Sequence, residues 1–260
     1  MFRTCILTDS TVVFTKPVYP GIEHVHIIPH VLQTPHAPGA DSFRQTFVTL
    51  GSRYQEIISV LGSSHLNPAV QNARLAVASL KSPLNIQVID SQTTAIGLGL
   101  LVQAAAESIQ RGMPAQDICN LLRGMIRNIF AIFCLPDLTS LYLSGQIDQA
   151  QAIVGEMLGV IPIFVMENGQ LIHIQKIRSP RHLVDILFEF VMEFDQLKYL
   201  ALLQGSSFFD QECRNLRERV NQNLRTPHLS EYRINPTLAS LLGSRSIGII
   251  SMLKTPGEKS

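Results

Sequence analysis

The chain has 260 residues, 46% hydrophobic and 16% charged, with a formal net charge of +1. That length suits one large domain or two of ordinary size, and the near-neutral balance, with no basic run or face, excludes a nucleic-acid partner. No apolar run is long enough to span a bilayer (Ile126–Leu135 is short and carries Arg127 and Asn128), and the N-terminus lacks the pattern of a signal peptide, so a cytoplasmic protein is expected.

Taken in order, the first strand, Arg3–Leu7, runs into Thr8-Asp9-Ser10-Thr11. His24, His26 and His30 follow, in a stretch that reads as an edge strand with a polar face. The strand Ile57–Leu61 ends in Gly62-Ser63-Ser64. Asn67-Pro68 then starts a helix to Leu80, because Asn caps the first amides and Pro fits the first helical position. The strand Ile86–Ile89 ends in Asp90-Ser91 and leads to a helix over Thr94–Arg111, stopped by Gly112. A helix over Pro114–Asn128 and an apolar strand over Ile129–Phe133 follow. Strands alternating with helices predict parallel β-α-β units.

Past Pro136 the character changes. Ser144-Gly145 breaks the chain and Asp148–Leu158 reads as a helix. Val160–Met166 and Leu171–Ile177 predict a hairpin about Asn168-Gly169, a pair suited to a tight two-residue turn. Helices are expected over Arg181–Glu193, Asp210–Leu224 and Pro236–Leu242, and strands over Leu197–Leu203, Tyr232–Ile234 and Ser246–Met252. The fold class expected is α/β in two domains. Residues 1–138 would form a three-layer α/β/α domain with a parallel sheet. Residues 139–254 would form an α+β domain with a mainly antiparallel sheet, and 255–260 a loose tail.

Parallel strands bring their C-terminal ends to one rim, where open α/β sheets bind ligands. Three such ends here carry hydroxyl or carboxyl clusters. Helix N-termini beside them attract anions, and a carboxylate is a natural guest. Other chemistry has weaker support. There is no GxxxxGK[ST], no GxGxxG after a strand and no GxSxG. Cys5, Cys119, Cys134 and Cys213 are scattered, which reads as four reduced thiols, mostly buried in strands or helices. His24 and His26 would share a strand face, but no third ligand accompanies them. Asp9 and Asp90 sit at strand ends on one rim, either as a pair of carboxylates or each as a cap on its own turn.

The order of motifs resembles the DegV family of bacterial fatty-acid-binding proteins. Leu7-Thr8-Asp9-Ser10-Thr11 resembles its TDST start and Ile27-Ile28-Pro29 its VVP strand. Ser63-Ser64-His65-Leu66, ending at Ala73, is similar to SSxLSGTYxSA. Val88-Ile89-Asp90-Ser91 with Gly97-Leu98-Gly99 is similar to IDS…GxG. Asp137-Leu138…Leu141, Ser144-Gly145-Gln146-Ile147 and Ile161-Pro162-Ile163 resemble DLxYLxxGGRI…KPI. Asn168-Gly169 followed by Arg178 fits the hairpin, and Gly243…Gly248 the closing GPGxxG.

The resemblance implies a non-enzymatic lipid-binding protein that holds one long-chain fatty acid between its domains and presents it to a fatty-acid kinase. It implies no cofactor and no metal. The sequence departs from the family in its head-group segments. Thr34-Pro35-His36-Ala37-Pro38 is the nearest stretch to TSQPS, and about two dozen residues are missing before it, as a shortened connection or lost hairpin would leave. LSGT reads Leu66-Asn67-Pro68-Ala69. The Arg of GGRI is Gln146, the Lys before Pro-Ile falls at Val160 or Ile161, and the C-terminal His falls near Leu241. Arg245 is a basic residue the motif lacks. The expected ligand-binding set is therefore Ser10, Ser63, Ser64, Asn67, Asp90, Ser91, Gln146 and Arg245, with Ser64, Asn67 and Arg245 rebuilding the head-group site. The alternatives are a divergent member that lost the fatty acid and acts through protein contacts or another small apolar ligand, and a small-molecule enzyme using Asp9 and Asp90.

Overall fold

The computed structural model describes residues 2–30, 37–81, 84–224 and 227–254. Thr34, Pro35 and His36 of the TSQPS-like stretch, and the tail 255–260, lie outside the described residues. The chain divides into two compact units, Met1–Arg127 and Asn128–Ser260.

In the first unit β1 (Phe2–Asp9), β2 (Val25–Ile28), β3 (Tyr54–Leu61) and β4 (Asn85–Asp90) form a wholly parallel sheet in the order β2-β1-β3-β4. Side chains alternate across a strand. Cys5, Leu7, Ile57 and Leu61 therefore face one way, onto α1 (Ala40–Gly51) and α2 (Ala69–Ser79), where Phe43, Phe47, Val70 and Ala73 complete a core. Ile6, Ile58 and Val60 face the other way and are fully buried. That face is covered by α3 (Ala95–Gln110) and α4 (Ala115–Ile126), which pack on β1 and β3. The result is the expected three-layer α/β/α arrangement. α1 was not among the expected elements, although Phe43, Phe47 and Leu50 recur at helical spacing on its buried side.

In the second unit β5 (Ile129–Cys134), β6 (Ile161–Glu167), β7 (Gln170–Ile177), β8 (Leu197–Gln204), β9 (Leu229–Arg233) and β10 (Ile247–Leu253) form one sheet in the order β7-β6-β5-β10-β8-β9. Every pairing is antiparallel except β8 with β9. Its main core lies under α7 (Arg181–Met192) and α8 (Asp210–Asn223), with Ile132, Ile163, Leu202 and Ile249 on the strand side and Leu187, Phe190 and Leu216 on the helix side. α5 (Leu138–Leu143), α6 (Gln149–Met157) and α9 (Pro236–Leu242) complete the unit. The Asp148 carboxylate caps α6 through the Gln151 amide, and Asn168-Gly169 makes the hairpin turn.

One expectation is corrected. The alternation of strand and helix predicts that Ile129–Phe133 continues the β-α-β pattern of the first half. The strand instead pairs antiparallel with β6 and β10, so the second unit begins at Asn128 rather than after residue 138. A run that is apolar on both faces marks a buried strand but carries no information on which sheet receives it.

Candidate functional site

The first unit's sheet reverses its order between β1 and β3. Ligand crevices of open α/β sheets form at such a point, outside the carboxyl ends of the strands. Asp9 ends β1 there, fully buried. Its Oδ1 accepts from the Thr11 amide at 2.9 Å and the Thr11 hydroxyl at 2.6 Å, and its Oδ2 accepts from the Gly62 amide at 2.7 Å. His30 Nε2 lies 3.6 Å from Oδ1, an ionic spacing rather than a hydrogen bond. Burial alone would raise the Asp9 pKa. The His30 ring, the Thr11 hydroxyl and the Gly62 amide outweigh it and hold the carboxyl below its ordinary value. Asp9 therefore ties the end of β1 to the start of the β3–α2 loop.

Asp90 ends β4 and is half-buried. It accepts from Gln92 N at 3.0 Å and Ser64 N at 3.3 Å, and Ser64 Oγ donates to it at 2.5 Å. Both aspartates thus accept an amide two residues on, the turn-capping role, and each has its own set of donors. The Ser63 amide donates to Thr93 O at 2.8 Å and the Ser91 amide to Leu61 O at 3.0 Å, which stitches the two loops together. Ser63 and Ser91 are buried and bonded within these loops: Ser63 Oγ accepts from His65 N, and Ser91 Oγ donates to Thr93 O. Ser10 Oγ accepts from His30 N at 2.9 Å.

Asn67 stands immediately before α2. Its Oδ1 accepts from Ala69 N at 2.9 Å, so it caps the helix one residue outside the N-cap position, which Pro68 occupies. Its Nδ2 is buried without a hydrogen-bond partner among the described residues, in a residue only 7% exposed. The first-turn amides of a helix have no intrahelical acceptor, and Pro68 contributes none.

A second residue of this kind was missed by the reading of the sequence. Thr94 is the N-cap of α3, yet its hydroxyl makes no capping bond and is buried without a partner among the described residues. Gln92 and Ala95 flank the Thr93-Thr94 pair with φ of 52° and 51°. The left-handed region costs a residue with a Cβ about 1–2 kcal/mol. Ala95 is held there by Ala95 N donating to Thr11 O at 3.1 Å and Val13 N donating to Ala95 O at 3.0 Å. Gly99, one turn further along α3, is required by close approach: a Cβ there would lie 2.0 Å from the Val13 carbonyl oxygen. The signal for Thr94 was its place at the predicted helix start; nothing local showed that its hydroxyl would be left over.

Six of the eight expected residues, Ser10, Ser63, Ser64, Asn67, Asp90 and Ser91, thus lie on the loops of one rim. Gln146 and Arg245 belong to the second unit. Gln146 is half-buried after α5, with Nε2 donating to Ser144 O at 3.5 Å. Arg245 is exposed, donates to Pro136 O at 3.5 Å and lies 5.4 Å from the Phe208 ring centre. The second unit by itself also has an apolar cavity of about 320 Å³, walled by Leu138, Val154, Leu158, Val160 and Phe164. His24 stands in a short 3-10 turn and only His26 on β2, so the two do not share a strand face. His26 Nε2 contacts the Tyr54 hydroxyl at 3.2 Å. Among the described residues no three His, Cys, Asp or Glu are grouped to hold a metal ion, and no helix is long and apolar enough to cross a membrane.

The family model described as "Uncharacterised protein, DegV family" matches residues 18–254. A DegV domain-containing protein of Staphylococcus aureus is 23% identical over 287 aligned positions, covering 98% of this chain and all of that protein. The fatty acid binding DegV family protein of Streptococcus agalactiae superposes with a TM-score of 0.82 at 17% identity, over 98% of this chain and all of that one. The Fatty Acid Kinase (Fak) B3 protein of Streptococcus pneumoniae, loaded with linoleic acid, superposes at 0.80 and 15% identity, over 97% of this chain and all of that one. At these identities the structural likeness establishes the fold.

Proposed function

The chain belongs to the DegV family, and from that premise we propose that it is a binding protein that holds a long-chain fatty acid by its carboxylate on the rim of the first unit's parallel sheet. The observation that carries this reading is the pair of buried groups at two helix starts, Asn67 Nδ2 and Thr94 Oγ1, that have no hydrogen-bond partner among the described residues. Leaving a donor buried and unpaired costs about 1–3 kcal/mol. Both groups can donate and an ionised carboxylate only accepts, so a ligand carboxylate suits either. A carboxylate held by two or three such donors keeps its charge without a cationic partner.

Ser64 braces the loop rather than offering a donor, since both its amide and its hydroxyl already donate to Asp90. Gln146 and Arg245, both of the second unit, stay proposals: Gln146 by its place in the GGRI-like motif, and Arg245, which the family pattern lacks, as a basic residue for charge balance. Presentation of the acid to a fatty-acid kinase, with no reaction by this protein itself, is the partner reading supported by the name of the pneumococcal relative.

Native mass spectrometry of the purified protein, followed by denaturation and lipid extraction, tests the reading. A co-purifying acyl chain, or a thermal shift of the stripped protein with palmitate or oleate, is expected. An empty protein that shows no shift with either acid would leave the alternative of action through protein contacts.

A further inference from the structure

The second unit ends its sheet on a strand with one open side. β7 pairs with β6 and, among the described residues, with no other strand. Ile172 and Ile174, two apart on that strand, are 38% and 45% exposed. An edge of this kind presents a row of free N–H and C=O groups that another strand can take up. Beside it, on the α7 side of the sheet, lies a trough of about 600 Å³. Its floor is aromatic: Phe194 lies 5.0 Å from Phe130 and 5.2 Å, edge-on, from Phe190. Ile174 and Ile186 form its walls.

Three carboxylates line the same trough. Glu167 comes from the end of β6, and Glu189 and Glu193 from the last turn of α7 and its cap. All three are exposed, and none is paired with a basic side chain among the described residues. No lysine or arginine lines the trough. The basic residue of β7, Lys176, lines the cavity on the opposite face with His173.

We propose that β7 and this trough dock an extended, basic segment of a partner protein. The segment adds a strand to the open edge, seats an aromatic or aliphatic side chain on the phenylalanines, and sets Lys or Arg against Glu167, Glu189 and Glu193. Main-chain bonds at a sheet edge supply affinity in this mode and the alternating side chains supply specificity. A free fatty acid or an anionic membrane would meet the three carboxylates as repulsion. A small organic cation would leave the strand edge unused.

The test uses the full chain and a labelled heptapeptide of alternating Lys and Val with a central Phe, followed by fluorescence polarisation. Saturable binding is expected, weakened about tenfold or more when Glu replaces Lys in the peptide. N-methylation along one backbone edge of the peptide should abolish binding, and along the other edge should leave it. The combined variant E167Q/E189Q/E193Q should lose about tenfold or more in affinity with an unchanged circular dichroism spectrum. Equal binding of the Lys and Glu peptides, equal binding of both N-methylated forms, or an unaffected triple variant would overturn the proposal. So would a dimer in sedimentation that the triple variant breaks, since a second copy would then occupy the edge.

Discussion

Thr94→Val separates a ligand donor from a structural hydroxyl by the sign of two effects. The Thr94 side chain is buried, makes no capping bond and has no hydrogen-bond partner among the described residues. Valine keeps its shape and exchanges the hydroxyl for a methyl group, and the extended backbone at φ −151° suits a β-branched residue. Removing a buried, unsatisfied polar group recovers part of a penalty of about 1–3 kcal/mol, so the stripped variant should be as stable as the parent or more so. A hydrogen bond to an ionised acceptor is worth about 1.5–3 kcal/mol. Fatty-acid affinity should therefore fall roughly 10- to 150-fold. Urea unfolding of lipid-free protein, followed by far-UV circular dichroism, reads the first quantity, and calorimetric titration with oleate reads the second. Affinity within twofold of the parent would refute the donor role. A stability loss beyond about 1 kcal/mol would show that the hydroxyl already has a partner in the protein.

Asn67→Leu should weaken carboxylate binding by about 1–3 kcal/mol by titration, and should also cost about 1 kcal/mol of stability through the lost cap on Ala69; unchanged affinity would count against the amide as a donor. Asp9→Asn has one acceptor oxygen for donors now shared between two, and should cost about 3 kcal/mol in denaturant unfolding at neutral pH. Because the folded pKa of Asp9 is depressed, its stabilisation is complete above the unfolded value near 3.9 and is lost as pH falls through the folded one; the gap between parent and variant should therefore close in acid, and a gap that widens there would contradict this. Gly99→Ala drives a Cβ into the Val13 carbonyl and should lower the thermal midpoint by the equivalent of about 1–3 kcal/mol. All four cysteines are buried; burial pushes the Cys5 and Cys213 thiols up to about 12, and raises Cys119 and Cys134 also. Ellman's reagent at mildly alkaline pH should find no thiol in the native protein and all four in denaturant, and a fast native reaction would place at least one at the surface.

Much of the architecture was legible because its signals are local. Asn168-Gly169 between two apolar runs names a hairpin, and the hairpin is there. The short helix expected over Pro236–Leu242 begins and ends there as α9, its start capped by the Asn235 side chain, which accepts from Leu238 N. The hydroxyl and carboxyl clusters after three strands also pointed to the rim that holds six of the expected residues. Such features arise from backbone preference and from neighbours a few residues away, which a sequence displays directly.

What the sequence alone determined is the kind of most elements, though not of α1 or α5, the parallel character of the first sheet and, through the order of weak motifs, the family. What only the tertiary structure decided is pairing. β5 joined the second sheet through hydrogen bonds to β10, more than a hundred residues further along the chain. Asp9 closed on Gly62, and Asp90 on Ser64, while Asn67 Nδ2 and Thr94 Oγ1 were left without partners among the described residues. Whether a polar atom is satisfied depends on which distant group the fold brings within about 3 Å, and no local pattern of residues encodes that distance.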